Sequence, residues 1–222
     1  SYIHTPARYA WDQMYVYLEN SKLGRSPLSP LIRWQLHSFR QWDQLSGARV
    51  DCLIANSSFT SRRILKYWGR TSQVVHPPVS VEKFIWNEDR EDFYLCVCRL
   101  VPNKRVDLLV SAFNKIGLPL LIVGTGPQQK TLIKCARKNI KFLGSVSDEK
   151  IANLMSHCRA FVYAGLEDFG IAPVEAMASG APVICFGGGG LLDTVRPIGK
   201  VDSSPTGLFF DKQDPSSIVE AV

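Results

Sequence analysis

Residues 94–116 have the sequence YLCVCRLVPNKRVDLLVSAFNKI, which indicates the fold class of the chain. Its first five residues form a short apolar run rich in β-prone side chains. From Val106 to Ile116 the apolar residues recur with the i, i+3, i+4 and i+7 spacing of an amphipathic helix, which Gly117 then closes. A buried strand followed by a helix is the repeating unit of a parallel sheet.

The same alternation continues to the end of the chain. It predicts six strands, at residues 94–98, 118–123, 141–143, 160–163, 183–186 and 208–210, with helices between them. Continuous apolar strands separated by helices indicate an α/β fold with a doubly wound, Rossmann-like parallel sheet. Such sheets bind ligands at the carboxyl ends of their strands, where the strand order reverses. The loops that follow the strands are therefore the candidate site.

The first part of the chain contains another strand–helix–strand stretch. We predict strands at residues 50–55 and 73–76 and a helix over 58–68, capped by Ser57 or Ser58. Residues 1–49 have a mostly helical pattern with an interruption at 24–30. Prolines at 77–78 and a polar segment at 87–92 mark a domain boundary, which gives residues 1–85 and 86–222 as two domains.

Composition excludes several protein classes. The chain has 222 residues, of which 45% are hydrophobic and 21% charged, the profile of a soluble globular protein rather than of a disordered chain. No run of 18 apolar residues predicts a transmembrane helix, and no signal-peptide pattern is present. The six cysteines form no Cys-x-x-Cys pair, so we expect reduced thiols in a cytoplasmic protein and no metal site.

The net charge of +6 falls entirely within residues 1–70, which contain ten Lys or Arg and four Asp or Glu. Together with Trp11, Trp34 and Trp42, this excess favours an anionic partner such as a membrane surface. A solvated helical surface, with the tryptophans packed inside the domain, is the alternative interpretation. We expect no nucleic acid partner, because no zinc-finger, RNP or basic-region pattern occurs.

Two of the loops after predicted strands suit phosphate groups. Arg99 lies at the end of the first strand and Lys104 or Arg105 at the start of the next helix, where fixed cations favour a phosphate. Gly124 and Gly126 follow the second strand and let the backbone approach a ligand closely. The alternatives are solvated cations and an ordinary tight turn.

Two carboxylates follow the strand at 160–163. Glu167 lies in the loop, and Glu175 lies eight residues later, where Pro173 predicts the first turn of a helix. Glu175 is then either a ligand group or a partner of the helix dipole. The glycines at 187–190, after the next strand, form either an anion-binding nest or a flexible turn. Cations, glycine loops and carboxylates at one sheet edge together favour a sugar diphosphate as ligand.

Residues 167–184, EDFGIAPVEAMASGAPVI, resemble the E-x7-E motif of retaining, family-4-type glycosyltransferases. Supporting segments lie at residues 4–12, 54–60, 99–109, 122–127, 139–144 and 189–195. The likeness is strongest to bacterial or archaeal mannosyltransferases of surface-polysaccharide assembly. It implies the GT-B fold, in which two Rossmann-like domains face a cleft. By this likeness the chain is the tail of the first domain and most of the second, truncated at its end.

The resemblance also implies roles for individual residues. Arg99 and Lys104 would bind the donor diphosphate and stabilise it as it leaves, Glu167 would contact the transferred sugar, and Glu175 the ribose. The remaining candidates are the donor-site residues Gly124, Gly126, Val146, Phe169, Gly170 and Ile171 and the acceptor-side residues His4 and Arg8. Cys98 stands where the family usually has glycine, which would crowd the phosphate loop.

The implied activity is that of a retaining hexosyltransferase without a metal or other cofactor. Its first candidate donor is GDP-mannose, and its acceptor would be a saccharide or lipid-linked saccharide in polysaccharide biosynthesis. The expected location is the cytoplasm, peripheral at the inner face of the membrane. The alternatives are a UDP-sugar donor, a nucleotide-sugar-binding fragment without catalysis, and a sugar-nucleotide epimerase, against which the E-x7-E spacing argues.

Overall fold

The structure is a computed structural model that describes residues 1–20, 26–27, 29–199 and 204–222. It divides into two compact units, Ser1–Pro77 and Pro78–Val222. The division falls before the domain boundary predicted at 85–86 because the segment from Pro78 onward packs on the second unit. Phe84 lies against its hydrophobic core, and the indole ring of Trp86 lies beside Gly180.

The first unit contains a parallel sheet of three short strands in the order β1-β2-β3. Its elements are β1 (Tyr2–Ile3), α1 (Met14–Asn20), α2 (Ser29–Ala48), β2 (Ile54–Ala55), α3 (Ser58–Trp68) and β3 (Gln73–Val74). The helix over 58–68 is confirmed, and Ser57 is its cap, since its hydroxyl accepts the N–H of Thr60 at 3.0 Å. The interruption predicted at 24–30 falls partly on residues 24, 25 and 28, outside the described residues. Within it, Pro30 belongs to the first turn of α2.

A buried carboxylate organises the packing of the helices in the first unit. Asp43 accepts the indole N–H groups of Trp11 and Trp68, each at 2.8 Å. Trp11 is therefore a packing residue. Trp34 and Trp42, which the sequence assigned with Trp11 to an anionic partner, are 66% and 59% exposed.

The second unit confirms the doubly wound prediction. All six predicted strands occur, with ends shifted by at most two residues, and the helix over 106–116 has the predicted bounds. The elements are β4 (Tyr94–Val97), α4 (Val106–Ile116), β5 (Leu120–Val123), α5 (Gln129–Cys135), β6 (Ile140–Gly144), α6 (Asp148–His157), β7 (Ala160–Tyr163), α7 (Ile171–Ala178), β8 (Val183–Phe186), α8 (Leu191–Thr194), β9 (Gly207–Phe210) and α9 (Pro215–Ala221). Short 3-10 turns lie at Val81–Lys83 and Pro102–Lys104.

The six strands are parallel and lie in the order β6-β5-β4-β7-β8-β9. Tyr94 of β4 pairs with Leu120 of β5 on one side and with Ala160 of β7 on the other. Helices cover both faces, with Phe113 buried in one core cluster and Met155 in the other. Because the chain winds away from β4 in both directions, the strand order reverses between β4 and β7, and their carboxyl ends form a crevice.

None of the helices in the described part of the chain is both long enough and apolar enough to cross a membrane.

Candidate active site

The loop after β4 returns Lys104 to the edge of the sheet. The N–H groups of Cys98 and Leu100 donate to Val123 and Thr125 carbonyls at 3.1 and 2.9 Å, which ties the start of the loop to the segment after β5. The 3-10 turn follows, and Arg105 then adopts φ 53° and ψ 37° before α4 begins. Among the described residues it is the only non-glycine with positive φ, an uncommon conformation for a residue with a side chain.

The loop after β7 brings Glu167 to the same crevice. Its Oε1 accepts a hydrogen bond from the hydroxyl of Tyr163, the last residue of β7, and forms an ion pair with the Lys104 ammonium. Lys104 Nζ also lies 5.8 Å from the centroid of the Tyr163 ring. The Lys104 and Glu167 side chains are 22% and 16% exposed, so the pair is shielded but reachable from solvent.

The charges in this crevice influence one another. Burial raises the pKa of Tyr163 well above its usual range, and the negative charge of Glu167 raises it further. Tyr163 is therefore a neutral hydrogen-bond donor at physiological pH. Sequence reasoning did not single out this residue, although a hydroxyl-bearing side chain at the strand end, four residues before Glu167, was a usable signal.

Arg99 adds a second cation at the same strand end. Its side chain is exposed, and within the part of the chain that the structure describes its guanidinium has no hydrogen bond or ion pair. The Lys104 ammonium is thus neutralised by a carboxylate, whereas the Arg99 guanidinium is open to an anion.

Gly124 and Gly126 have a structural explanation that needs no ligand. A Cβ atom on Gly124, whose φ is +125°, would overlap the carbonyl oxygen of Cys98, and one on Gly126 would overlap that of Leu100. Both glycines therefore allow the loop after β5 to pack against the loop after β4. They support the phosphate-binding candidates by fixing the course of that loop.

The glycine loop at 187–190 supports Glu167 in the same way. The N–H groups of Gly187, Gly188 and Gly190 donate to the carbonyls of Phe210, Phe186 and Glu167 at 3.0, 2.8 and 2.8 Å. The interpretation as an anion nest is therefore wrong for these three groups, because they are already bonded. Cβ atoms on Gly189 and Gly190 would overlap the carbonyl oxygens of Glu167 and Asp168, so the glycines permit close loop packing.

The start of α7 corrects the sequence interpretation of Glu175. The helix begins at Ile171, after Gly170 with φ +95°, so Pro173 is its third residue and Glu175 its fifth. Glu175 therefore lies beyond the first turn and is not a partner of the helix dipole there. Burial raises the pKa of its carboxyl, the charge of Asp148 raises it further, and Lys83 opposes both.

The remaining candidates lie in different surroundings. Phe169 is buried and Ile171 is 48% exposed, while Val146 follows β6 and packs against the core. His4 and Arg8 belong to the first unit, where the exposed His4 ring lies edge-on to Tyr2 with centroids 5.3 Å apart. Across residues 1–20, 26–27, 29–199 and 204–222, no three His, Cys, Asp or Glu side chains are grouped to hold a metal ion.

Residues 80–222 match the sequence profile of the family described as glycosyl transferases group 1. The chain belongs to this family. Its parallel α/β architecture matches the GT-B fold of glycosyltransferase structures, and the chain forms part of that fold. The matched residues include the whole sheet of the second unit and both loops that meet at Lys104 and Glu167.

Relatives of this group 1 glycosyltransferase include mannosyltransferases. It is 28% identical to the GDP-Man:Man(3)GlcNAc(2)-PP-Dol alpha-1,2-mannosyltransferase of Candida glabrata, with 97% of this chain and 51% of that protein covered. It is 29% identical to the GDP-mannose-dependent monoacylated alpha-(1-6)-phosphatidylinositol monomannoside mannosyltransferase of Corynebacterium glutamicum, with 90% and 59% covered. The chain spans about half the length of the curated relatives it matches.

Among solved structures, HepE from Anabaena, crystallised with UDP and glucose, matches with a TM-score of 0.69 at 20% identity. The match covers 82% of this chain and 55% of HepE. At this identity the likeness supports the fold alone.

Proposed function

We propose that the full-length protein is a retaining glycosyltransferase that moves mannose from GDP-mannose to a saccharide or lipid-linked acceptor in polysaccharide biosynthesis. The observation that carries this proposal is the meeting of Lys104 with Glu167 at the carboxyl ends of β4 and β7. A cation for phosphate and a carboxylate for sugar hydroxyls stand side by side in the crevice that such sheets use for ligands. The exposed Arg99 supplies the second cation.

The choice of mannose rests on the relatives. Two of them are named for GDP-mannose as donor, and their names place mannose on dolichol-linked or phosphatidylinositol-linked acceptors. HepE was crystallised with UDP and glucose, so UDP-glucose is the competing donor in any test.

Each of the site residues has a separate role in the proposed reaction. Arg99 and Lys104 bind the diphosphate and stabilise the negative charge that develops on it as the glycosidic bond breaks, a contribution that a metal ion makes in other enzymes. Glu167 binds a hydroxyl of the transferred sugar, and Glu175 binds the ribose. The acceptor attacks from the face that the diphosphate leaves, and a phosphate oxygen takes the acceptor proton, which retains the anomeric configuration.

The first unit carries a surface suited to the inner face of an anionic membrane. Leu31, Trp34, Trp42 and Leu45 lie along one side of α2 by their helical spacing, and each is between 58% and 66% exposed. The opposite side of α2 buries Asp43. An exposed apolar stripe within a segment of net charge +6 fits reversible binding to anionic lipids, where a lipid-linked acceptor resides.

The test is transfer by the full-length protein from GDP-mannose and from UDP-glucose to a lipid-linked oligosaccharide pool. We expect mannose transfer with retained configuration by NMR, and a loss of at least about 100-fold for Glu167→Gln with an unchanged circular dichroism spectrum. Glu149→Gln, an exposed carboxylate on α6, is the matched control and should leave the rate unchanged. Wild-type turnover by Glu167→Gln, or an inverted product, would refute the proposal.

A further inference from the structure

Glu167 has two hydrogen-bond donors on a single oxygen. The Tyr163 hydroxyl and the Lys104 ammonium both reach Oε1. The proposed function requires Lys104 to bind the donor diphosphate as well. The charge of the Lys104 ammonium is therefore already paired with a carboxylate before the donor binds, and the diphosphate must compete with Glu167 for Lys104.

We propose that Glu167 holds Lys104 until a nucleoside diphosphate binds, and that Tyr163 is the positioning residue that keeps Glu167 in place when Lys104 turns to the phosphate. This inference rests on the proposed function, because it takes the donor diphosphate as the ligand of Lys104.

The hydroxyl of Tyr163 is fixed in position. Tyr163 is 2% exposed, pairs with Cys185 in the register between β7 and β8, and stacks on Phe161 with 10° between the rings. Gly165 closes the remaining space, since a Cβ atom there would lie 3.0 Å from the hydroxyl oxygen and from a ring carbon of Tyr163. Packing therefore holds the Tyr163 ring, and with it the hydroxyl, in place beside Glu167.

Lys104 is the mobile partner of the pair. It ends a three-residue 3-10 turn, its side chain is 22% exposed, and its ammonium is carried on a flexible four-carbon stem. A rotamer change moves the ammonium without altering the sheet. The Tyr163 hydroxyl is thus a rigid donor to Glu167, whereas the Lys104 ammonium can move. This arrangement allows Lys104 to leave Glu167 for the diphosphate.

Movement of Lys104 from Glu167 to the diphosphate predicts a specific energetic coupling between Lys104, Glu167 and Tyr163. In Tyr163→Phe the packing is kept, but Glu167 is left without its fixed donor once Lys104 turns to the phosphate. Nucleoside diphosphate affinity should therefore fall about tenfold. Glu167→Gln removes the charge that competes for Lys104, so affinity should rise or stay equal. In the Glu167→Gln background, Tyr163→Phe should have no further effect.

The experiment is calorimetric titration of the full-length protein with GDP and UDP, following whichever binds the wild type more tightly. Wild type, Y163F, E167Q and the Y163F/E167Q double variant form a double-mutant cycle. Tyr94→Phe is the matched control, because Tyr94 is equally buried on β4 and its hydroxyl contacts the Val222 carbonyl at 3.4 Å, away from Glu167.

The outcomes separate this inference from the proposed function. An unchanged affinity in Y163F, while Lys104→Ala still weakens binding, would overturn the inference and leave the donor site standing. An equal loss for Y163F in both backgrounds would mean that Tyr163 acts through packing alone and would also overturn it. Failure of both nucleotides to bind the wild type, or no effect of Lys104→Ala, would overturn the proposed function and this inference with it.

Discussion

Gly124→Ala tests the packing of the loop after β5 against the loop after β4. Gly124 follows β5 with φ +125°, and a Cβ atom built on it would overlap the Cys98 carbonyl oxygen and lie 2.9 Å from the carbonyl carbon, where ordinary contacts begin at 3.4 Å. The Cys98 carbonyl cannot retreat freely, because the N–H of the same residue is bonded to Val123 at 3.1 Å. The substitution should therefore strain the backbone and also push the loop away.

The magnitude follows from these two costs. An unfavourable backbone conformation costs about 1–3 kcal/mol. Overpacking costs a further ~1–3 kcal/mol, so we expect a loss of about 4 kcal/mol in the second unit. Gly117→Ala is the matched control, since Gly117 has φ +75° but nothing within 4 Å of a Cβ atom. It should cost only the conformational part, about 1–2 kcal/mol.

Amide hydrogen exchange of the β4 and β5 peptides measures the difference directly. Protection should fall by roughly 1,000-fold in Gly124→Ala and by roughly tenfold in Gly117→Ala, since 1.4 kcal/mol corresponds to a factor of ten. Nucleoside diphosphate affinity should fall in Gly124→Ala alone. Equal exchange in the two variants would refute the tight packing of the loop after β5 against Cys98.

Asp43→Ala should lower the free energy of unfolding of the first unit by about 2–4 kcal/mol in urea titrations, because two indole N–H groups lose their acceptor, and Asp43→Asn should lose less. Burial raises the pKa of the Glu175 carboxyl in the folded protein. Protonation of Glu175 therefore stabilises the fold below the ordinary pKa of 4.5, and this stabilisation is lost as the pH rises through the raised pKa. Glu175→Gln should accordingly raise the melting temperature of the second unit at pH 7, with a gain that shrinks towards pH 4.5. A Trp34→Ala/Trp42→Ala variant should lose binding to phosphatidylserine vesicles at low salt, whereas Trp86→Ala, 63% exposed in the second unit, should not. Equal loss in both variants, or binding that salt does not weaken, would refute the membrane surface.

Local signals explain which elements the sequence predicted well. The helix over 106–116 has the predicted bounds because its apolar spacing and the closing Gly117 are both contained in a few consecutive residues. The start of α7 was misjudged for the opposite reason. Pro173 resembles a first helical residue, whereas the true start depends on the positive φ of Gly170, which the glycine residue alone does not reveal.

The candidate site was predictable in part. The rule that ligands bind at the carboxyl ends of parallel strands selected Lys104 and Glu167, and both lie in one crevice. Their ion pair was not predictable, because it depends on a 3-10 turn and a strained Arg105 that redirect the loop. The glycine loop at 187–190 was misjudged because Gly187 and Gly190 donate to the carbonyls of Phe210 and Glu167, which are distant in the sequence.

The proposed function requires the cations after β4 to bind the donor diphosphate. This binding can be measured by calorimetric titration of the full-length protein with GDP, comparing wild type with an Arg99→Ala/Lys104→Ala variant. We predict an affinity loss of at least about 100-fold, because two charge-assisted contacts are removed. Lys130→Ala/Lys134→Ala, which removes two exposed lysines from α5, is the charge-matched control and should bind as the wild type does. Equal affinity in the Arg99→Ala/Lys104→Ala variant and the wild type would mean that the diphosphate binds elsewhere.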